Sequence, residues 1–528
     1  MNILDKAIAF VNPQAAVKRA AARNTLSVLD SGYGNYGGSF SRNSLRGWNA
    51  SGGSADEDIH EHLETLRERS RDLYAGVPLA TAAFKKLRTS AVGQGLRLKS
   101  QIDFRYLGMD EEQARELEAQ IEREFALFAE SPDCDAERID DFYELQQLAF
   151  LNWLMSGDVL ALMPLKKRVG TPYELTIRLI EADRVSTPPD KTFDPLIESG
   201  VERDEFGEVV AFWVANNHPL AYENVRNLTK WTRVKAWGDR TGRRNALFIC
   251  ARERIGQLRG VPFIAPVIEA LKQLGRYTDA ELMAAVISGM FTVFIEKDGI
   301  SEEVPLGEME PVDEGDRTAA GAIRLGNGAI VDLQEGEKAN AINPGRPNAN
   351  FDGFVRAISS QVGAALEIPY EVLMSQFNSN YSASRAALLE AWKTFRMYRG
   401  WLTNDFCQPV FEEFMCEAVA KGRIKAPGFF SDPLIRKAYC KAKWSGPSQG
   451  QIDPLKEVNA AVIRVENGFS TRDTEALELN GSSFYANVGQ LRTENALLNQ
   501  AGAPGGNSAV WQPEEDEEDE QKADNEGK

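Results

Sequence analysis

Histidine is nearly absent from this chain of 528 residues, which contains only His60, His62 and His218. Most hydrolytic and zinc-dependent mechanisms use several histidines as bases or ligands, so this scarcity argues against them. His60 and His62 stand beside acidic residues at the start of a predicted helix, and positions two apart do not face the same way on a helix. All three histidines are therefore predicted to be solvated surface residues.

Cysteine is also scarce, and its five positions are scattered. They are Cys134, Cys250, Cys407, Cys416 and Cys440, with no CxxC spacing among them. The sequence indicates neither a disulfide framework nor a zinc site, and a reducing cytoplasm is the expected origin.

Nucleotide-binding motifs are missing as well. The chain has no GxxxxGK[ST] sequence, so a P-loop motor is not indicated. Gly32, Gly34 and Gly37 match the spacing of a dinucleotide fingerprint, but they follow no predicted strand and open no predicted helix. No cofactor, no metal and no catalytic residue is predicted.

Long apolar runs are absent too. The charge-free stretch 282–295 has 14 residues, whereas a helix needs roughly 20 to span a bilayer. Residues 1–10 are interrupted by Asp5 and Lys6, which is unlike a secretory signal. We expect neither a membrane segment nor export.

Positive charge is in deficit, because 60 basic residues face 78 acidic ones and the net charge is −18. Proteins that wrap nucleic acid tightly need clustered Lys and Arg to displace counterions, so that class is disfavoured. The deficit is compatible with a channel, since a polyanion slides more easily past a wall that does not attract it strongly.

What is present indicates an α+β protein, predominantly helical. The length predicts two to four domains or one elongated subunit, and 43% apolar with 26% charged residues is normal for a folded protein. Apolar spacings of three and four, with Gly, Pro and cap signals at the ends, predict helices over 59–76, 78–92, 112–130, 140–155, 266–288, 351–366, 453–468, 470–481 and 483–499. Strands are predicted over 159–165, 175–180, around 201, and over 209–215 and 291–295, with a hairpin turn at Gly326-Asn327-Gly328.

One predicted helix is unusually long. It begins near Ser382 or Ser384 and runs to about residue 421, with an apolar stripe from Leu388 to Phe414 and a kink expected at Pro409. At 1.5 Å per residue it would extend about 55 Å, which is longer than a typical domain core needs. The stripe is predicted to be core packing, and the length is typical of a spine in an assembly.

Carboxylate pairs such as Glu302-Glu303 are common on solvated surfaces, and nothing in the sequence marks them as catalytic. Asp183 and Arg184 follow a predicted strand and are predicted to cap or pair structurally. Two other function classes stay open: a nuclease that uses clustered Asp and Glu with a divalent metal, and a capsid-associated scaffold or adaptor.

Six short motifs occur in a distinctive order and spacing. They are LRERSRDL (66–73), SGDV (156–159), IEADRV (180–185), GQLRGVP (256–262), IPYEVL (368–373) and NYSASR (380–385). In this order, over residues 55–500, they resemble the lambda-type family of tailed-bacteriophage portal proteins. One departure is Cys250 before Arg252, in a segment where a histidine is expected in many relatives.

The resemblance implies a portal-type fold with a wing, stem, clip and crown around a long spine helix. The parts expected from it are a flexible basic arm (1–55), the α+β wing (56–262), the first stem helix and a strand (263–296), the clip as a small β module (297–350), the second stem helix (351–368), the tunnel loop (369–383), the spine helix (384–421), a loop-rich connection (422–452), the crown helices (453–501) and a disordered acidic tail (502–528).

The resemblance also implies a non-enzymatic ring subunit, typically one of twelve, at one vertex of the phage head. The ring would carry double-stranded DNA in transit and contact terminase, head-tail connector proteins and the major capsid or scaffold protein; the subunit would occur in the host cytoplasm before assembly. The residues expected at the DNA channel are Ser375, Gln376, Phe377, Asn378, Ser379, Asn380 and Tyr381. They offer hydrogen bonds and little charge, so they could touch phosphates without holding them.

Overall fold

The structure is a computed structural model that describes residues 52–219, 221, 229–289, 293–297, 337–341, 350–377, 381–449 and 454–500. Residues 1–51 of the predicted basic arm, which include the Gly32/Gly34/Gly37 spacing, lie outside these residues, as do the Gly326–Gly328 turn and the acidic tail. The chain divides into two units, 1–58 and 59–528. In the first unit, Ser54 and Glu57 form a reciprocal capping box that starts the first helix: Ser54 N donates to Glu57 Oε2 (2.9 Å), and Glu57 N donates to Ser54 Oγ (3.2 Å).

Helices dominate the described residues. In chain order they are α1 (Ala55–Gly76), α2 (Pro78–Ala91), α3 (Phe104–Leu107), α4 (Glu111–Ala129), α5 (Phe142–Ser156), α6 (Ile268–Gly289), α7 (Phe351–Ala365), α8 (Tyr370–Met374), α9 (Tyr381–Leu402), α10 (Gln408–Ala420), α11 (Pro433–Tyr439), α12 (Pro454–Glu466), α13 (Arg472–Asn480) and α14 (Phe484–Gln500).

Within the described residues, the strands form four small antiparallel sheets. In chain order they are β1 (Arg97–Ser100), β2 (Asp158–Leu162), β3 (Arg178–Ile180), β4 (Ile197–Glu198), β5 (Val201–Arg203), β6 (Val209–Ala215), β7 (Trp231–Lys235), β8 (Ala246–Cys250), β9 (Val293–Lys297), β10 (Glu337–Ala341) and β11 (Ala442–Ser445). The sheet orders are β3-β2-β8, β4-β5-β6-β7, β9-β10 and β1-β11. The fold is therefore α+β and predominantly helical, as predicted.

Local signals in the sequence fix most helix ends. The chain breaks between α1 and α2 at Val77, before Pro78, as predicted. Asp110 caps α4, and Asp141 with Glu144 forms a capping box on α5. Helix α13 begins two residues later than the predicted 470, because Thr471 is its N-cap: the Thr471 side chain accepts a hydrogen bond from Thr474 N.

The long predicted helix is present, and it starts slightly earlier in the chain than predicted. It begins at Tyr381, one residue before the first of the two predicted starts, Ser382 and Ser384, and continues through α9, a π-helical segment (Thr403–Cys407) and α10 to Ala420. Proline lacks an N–H, and its ring collides with the carbonyl four residues earlier in a regular α-helix. The widened π turn directly before Pro409 accommodates that collision, so the helix passes the proline without ending.

The spine's aromatic stripe is buried in the main core, as predicted. Phe125 of α4 lies between the rings of Phe411 (5.5 Å between centroids), Phe414 (5.2 Å) and Trp444 (5.8 Å), in edge-on contacts. Phe125 and Phe414 are almost fully buried. The second half of the long helix therefore also serves as a core element of the 59–528 unit.

The expected tunnel loop needs one structural correction, because part of the range 369–383 is helical. Pro369 precedes the short helix α8, and Tyr381 already belongs to α9. Val372 and Leu373 of α8 are buried in the main core, which anchors the start of the loop.

No helix of the described residues is long and apolar enough to cross a membrane.

Removing the buried ring of Phe125 should destabilise the fold. Phe125→Ala should lower the free energy of unfolding by about 3–5 kcal/mol, because it opens a cavity among the surrounding aromatic rings. Leu127→Ala, on the same helix but 56% exposed, is the matched control and should change stability by less than about 1 kcal/mol. Chemical denaturation followed by circular dichroism measures both, and equal losses would contradict the proposed core role of Phe125.

Candidate functional site

The first four family-like motifs meet at one buried carboxylate. Asp158, at the start of β2, is fully buried. It accepts hydrogen bonds from Arg67 Nη2 (3.1 Å), from Arg259 Nε and Nη2 (2.8 Å each) and from Gly260 N (2.9 Å). We call Arg67, Asp158 and Arg259 the buried triad.

The two arginines of the triad also donate hydrogen bonds to backbone carbonyls. Arg259 donates to Ala182 O, Val185 O and Ser199 O, each at 2.7 Å, and Arg67 Nε donates to Ser156 O at 2.8 Å. Buried charges are tolerated only when they are paired and hydrogen-bonded, and this arrangement meets both conditions. The triad therefore holds helix α1, strand β2 and the turn at 182–185 together.

The charge states follow from these contacts. Burial alone would raise the pKa of Asp158, but the positive charges of Arg259 and Arg67 and the hydrogen bonds from Arg259 and Gly260 outweigh it, so the pKa lies below its ordinary value. Burial also lowers the pKa of Arg67 to about 10, which still leaves it charged at neutral pH. The triad is thus permanently ionised under ordinary conditions.

Two glycines permit the backbones to approach closely enough for this network. A Cβ on Gly260 would lie 1.8 Å from Gly157 O, and one on Gly157 would lie 2.3 Å from Gly260 C. Gly157 also has φ +91°, which disfavours any side chain. This close approach explains why glycine occupies both positions, in two motifs that are about a hundred residues apart.

A cleft of about 680 Å³ opens beside the triad. Among the described residues, one group comes close enough to hold a metal ion: Glu181, Asp183 and His218, whose ligand atoms lie within 4.8 Å of one another. Arg71 Nη2 already donates to Asp183 Oδ2, and Arg71 Nη1 lies 3.9 Å from Glu181 Oε1. The guanidinium of Arg71 therefore supplies the positive charge that a metal ion would otherwise bring to these two carboxylates. The predicted structural pairing of Asp183 is therefore confirmed.

The histidines fall into two classes. His60 and His62 are exposed, as predicted. The prediction of a solvated surface position is wrong for His218, whose side chain is only 26% exposed and whose Nε2 lies 3.5 Å from Asp183 Oδ2. Asp183 is 35 residues away in sequence, and no local pattern around His218 signals the pairing.

The segment from the last residue of α8, Met374, to the first residue of α9, Tyr381, contains the predicted channel residues, and we call it the 374–381 loop. Ser375 has a left-handed backbone (φ 55°), and its Oγ accepts a hydrogen bond from Lys86 Nζ at 2.5 Å. Gln376 N donates to Glu371 O (3.0 Å), and Gln376 Oε1 accepts from Tyr370 Oη (3.4 Å). Phe377 is 46% exposed. Asn378, Ser379, Asn380 and the side chain of Tyr381 lie outside the described residues.

Sequence reasoning missed two cations beside this loop. Lys86 reaches it from α2, and Arg356 of α7 stacks over the ring of Tyr370 at 5.4 Å. Neither residue stands in a motif, and Lys86 and Ser375 are 289 positions apart. Only the packing of α2 and α7 around α8 brings them together.

Helices α6 and α7 pack together at one position and leave apolar side chains exposed nearby. Tyr277 of α6 stacks on Phe351 (5.5 Å) and meets Phe354 edge-on (5.0 Å). Leu282, Met283 and Val286 of α6 are nevertheless 66%, 60% and 46% exposed. A cluster of exposed apolar side chains on one helix is typical of an interaction surface.

Neutralising the centre of the triad should destabilise the protein. Asp158→Asn should cost about 3–5 kcal/mol of unfolding free energy, because Arg259 would lose its buried counter-charge and Arg67 would keep only Asp183, 3.8 Å from its Nη1. The lowered pKa of Asp158 adds stability above the unfolded-state pKa of about 3.9, and this is lost as pH falls through the folded-state pKa. Asp158→Asn should therefore also flatten the acid limb of the stability curve. Denaturation at several pH values, with the surface change Asp190→Asn as control, measures both effects; an unchanged acid limb would contradict the assignment.

Comparison with known proteins places these features in a family. A family model described as "Phage portal protein, lambda family" matches residues 41–399. Portal protein B of Escherichia phage lambda is 24% identical over 460 residues, covering 83% of this chain and 85% of that protein. The portal protein of Escherichia phage N15 is 24% identical over 498 residues, covering 91% and 92%.

Solved structures show a more distant likeness. A chain in "Neck of empty GTA particle computed with C6 symmetry" is 13% identical with a TM-score of 0.41, and the match covers 80% of this chain and 94% of that one. The family match spans most of the chain and includes the triad, the cleft and the 374–381 loop. The chain belongs to the lambda family of phage portal proteins.

Proposed function

We propose that the chain is a non-enzymatic subunit of a portal ring at one vertex of a phage head, and that the ring forms the channel for genome packaging and ejection. The observation that carries this proposal is the exposed apolar surface of α6, formed by Leu282, Met283 and Val286, in a helix that is paired with α7. A single subunit leaves this surface in contact with water, and burial against a neighbouring copy would remove it. Family membership supplies the kind of assembly.

The parts of the ring are proposed on the family pattern. The wing is the α+β region 56–262, the stem contains α6 and α7, and the clip lies between them. The antiparallel pair of β9 and β10 would form the base of the clip, because it joins the two chain segments that leave the stem. The spine would be the helix from Tyr381 to Ala420, and α12, α13 and α14 would form the crown.

The 374–381 loop is proposed to face DNA in the channel. Its described side chains after Met374 are Ser375, Gln376 and Phe377, which carry no charge. Such a loop can donate or accept hydrogen bonds without the counterion release that makes cationic surfaces bind DNA tightly. The buried Val372 and Leu373 would hold the loop against forces from moving DNA.

The proposed partners are other copies of this chain, twelve to a ring, double-stranded DNA in transit, terminase, head-tail connector proteins, and the major capsid or scaffold protein. The proposed location is the portal vertex of the virion, after assembly from subunits in the host cytoplasm. Terminase would supply the motor activity, which agrees with the lack of a P-loop sequence in this chain.

Ring formation is the first test of this function. Negative-stain electron microscopy of the purified protein should show rings with a central hole, because burial of the α6 surface favours closed assembly. A protein that stays monomeric in every condition, including with its packaging partners, would falsify the proposal.

Introducing charge on α6 should prevent assembly without unfolding the subunit. Leu282→Glu should convert rings to monomers, since a carboxylate in an apolar interface has no partner. Val169→Glu replaces a fully exposed valine in a loop of the proposed wing and is the control. Size-exclusion chromatography with light scattering measures the assembly, and circular dichroism checks the fold. Intact rings of Leu282→Glu would place the interface elsewhere.

Shortening the loop should separate assembly from DNA handling. Deletion of residues 376–380 should leave rings intact, because α8 and α9 are anchored in the core, and should reduce packaging or retention of DNA. DNase protection of DNA in particles assembled with the deleted subunit measures this effect. Normal packaging and retention would contradict the channel role of the loop.

A further inference from the structure

Lys86 occupies a defined position beside the 374–381 loop. Its neighbours Phe84 and Leu87 are fully buried in the core that also contains Val372 and Leu373 of α8. This packing fixes α2 against α8 and brings Lys86 Nζ to 2.5 Å from Ser375 Oγ. The lysine therefore reaches the loop from a rigid element.

The charge of Lys86 is not neutralised by this hydrogen bond. The hydroxyl of Ser375 is neutral, and it takes one of the three donors of the ammonium group. Among the described residues, no carboxylate forms an ion pair with Lys86. Two N–H donors and the positive charge of Lys86 therefore stay available beside a loop that contains no charged residue.

Arg356 adds a second cation on another element. Its guanidinium stacks on Tyr370, and Tyr370 Oη donates to Gln376 Oε1 in the loop. Arg356 is exposed, and it too forms no ion pair within the described part of the chain. In a protein of net charge −18, two such cations close to a loop without charged residues stand out against the general excess of carboxylates.

We propose that Lys86 and Arg356 bind phosphates of the double-stranded DNA that passes the loop, an inference that rests on the proposed channel function. Lys86 exchanges Ser375 Oγ for a phosphate oxygen, so binding of DNA is coupled to the position of the loop. Each of these interactions is individually weak and screened by salt. Repetition around the ring adds them together, so that resting DNA is retained while moving DNA passes from one cation to the next.

Charge removal at Lys86 tests this interaction directly. Binding of a fluorescent DNA duplex to purified rings should weaken in Lys86→Gln, and the slope of log affinity against log salt should fall by about 0.9 for each phosphate that the ring no longer neutralises. Lys86→Arg should restore the slope. Lys85→Gln is the matched control, because Lys85 is the adjacent, exposed lysine with no ion pair in the described chain. Equal slopes for Lys86→Gln and Lys85→Gln would overturn the proposal for Lys86, and Arg356→Gln tests the second cation in the same way.

A footprint in assembled particles gives an independent readout on unmodified protein. Acetylation of lysine side chains, quantified by mass spectrometry, should be slower at Lys86 in DNA-filled heads than in empty heads, whereas Lys85 should react equally in both. A merely structural role for Lys86 predicts no difference between filled and empty heads. That result would overturn the proposed binding of phosphate.

The outcomes separate this inference from the proposed function. If deletion of 376–380 abolishes retention but Lys86→Gln binds DNA with the wild-type salt slope, the channel function stands and the phosphate interaction of Lys86 is wrong. If the purified protein forms no rings, the proposed function itself fails, whatever the slope of Lys86→Gln.

Discussion

The fold of the 56–262 region depends on the ion pairing of Asp158 with Arg67 and Arg259. The carboxylate lies at the start of a buried strand, where an unpaired charge would cost several kcal/mol. Its two arginines reach it from α1 and from the segment before α6, and both also bind backbone carbonyls. The three buried charges therefore link helix α1, strand β2 and the segment before α6.

The triad also orients the start of the α6 segment. Gly260 donates its N–H to Asp158 and packs against Gly157, and Phe263 N, three residues later, donates to Leu154 O of α5. The segment that leads into α6 is thereby fixed before the helix begins. Contacts inside one subunit thus determine where α6 presents Leu282 and Val286, the surface on which the proposed ring depends.

Much of this fold could be predicted from sequence because its signals are local. The proline after Val77, the capping box at Asp141 and the periodicity of α4 each act within a few residues, and the helices lie where these signals predict them. The triad could not be predicted, although its residues stand in recognised motifs, because its partners are 91 and 101 positions apart. Lys86 beside Ser375 and His218 beside Asp183 were missed for the same reason: a pattern in sequence does not report which distant side chains packing will bring together.

The subunit therefore contains two kinds of cation, which differ in whether they are paired with a carboxylate. Inside the subunit, both arginines of the triad are paired with the buried carboxylate of Asp158, and Arg259 also donates to three backbone carbonyls. Beside the 374–381 loop, Lys86 and Arg356 form no ion pair with any described residue; Lys86 donates to a serine hydroxyl and Arg356 stacks on a tyrosine ring. Only the second kind of cation can exchange its neighbour for a phosphate at low cost, because no carboxylate must be released. In the proposed channel, the same distinction would let a strongly acidic protein contact DNA, because the position and pairing of a few cations would matter more than the net charge.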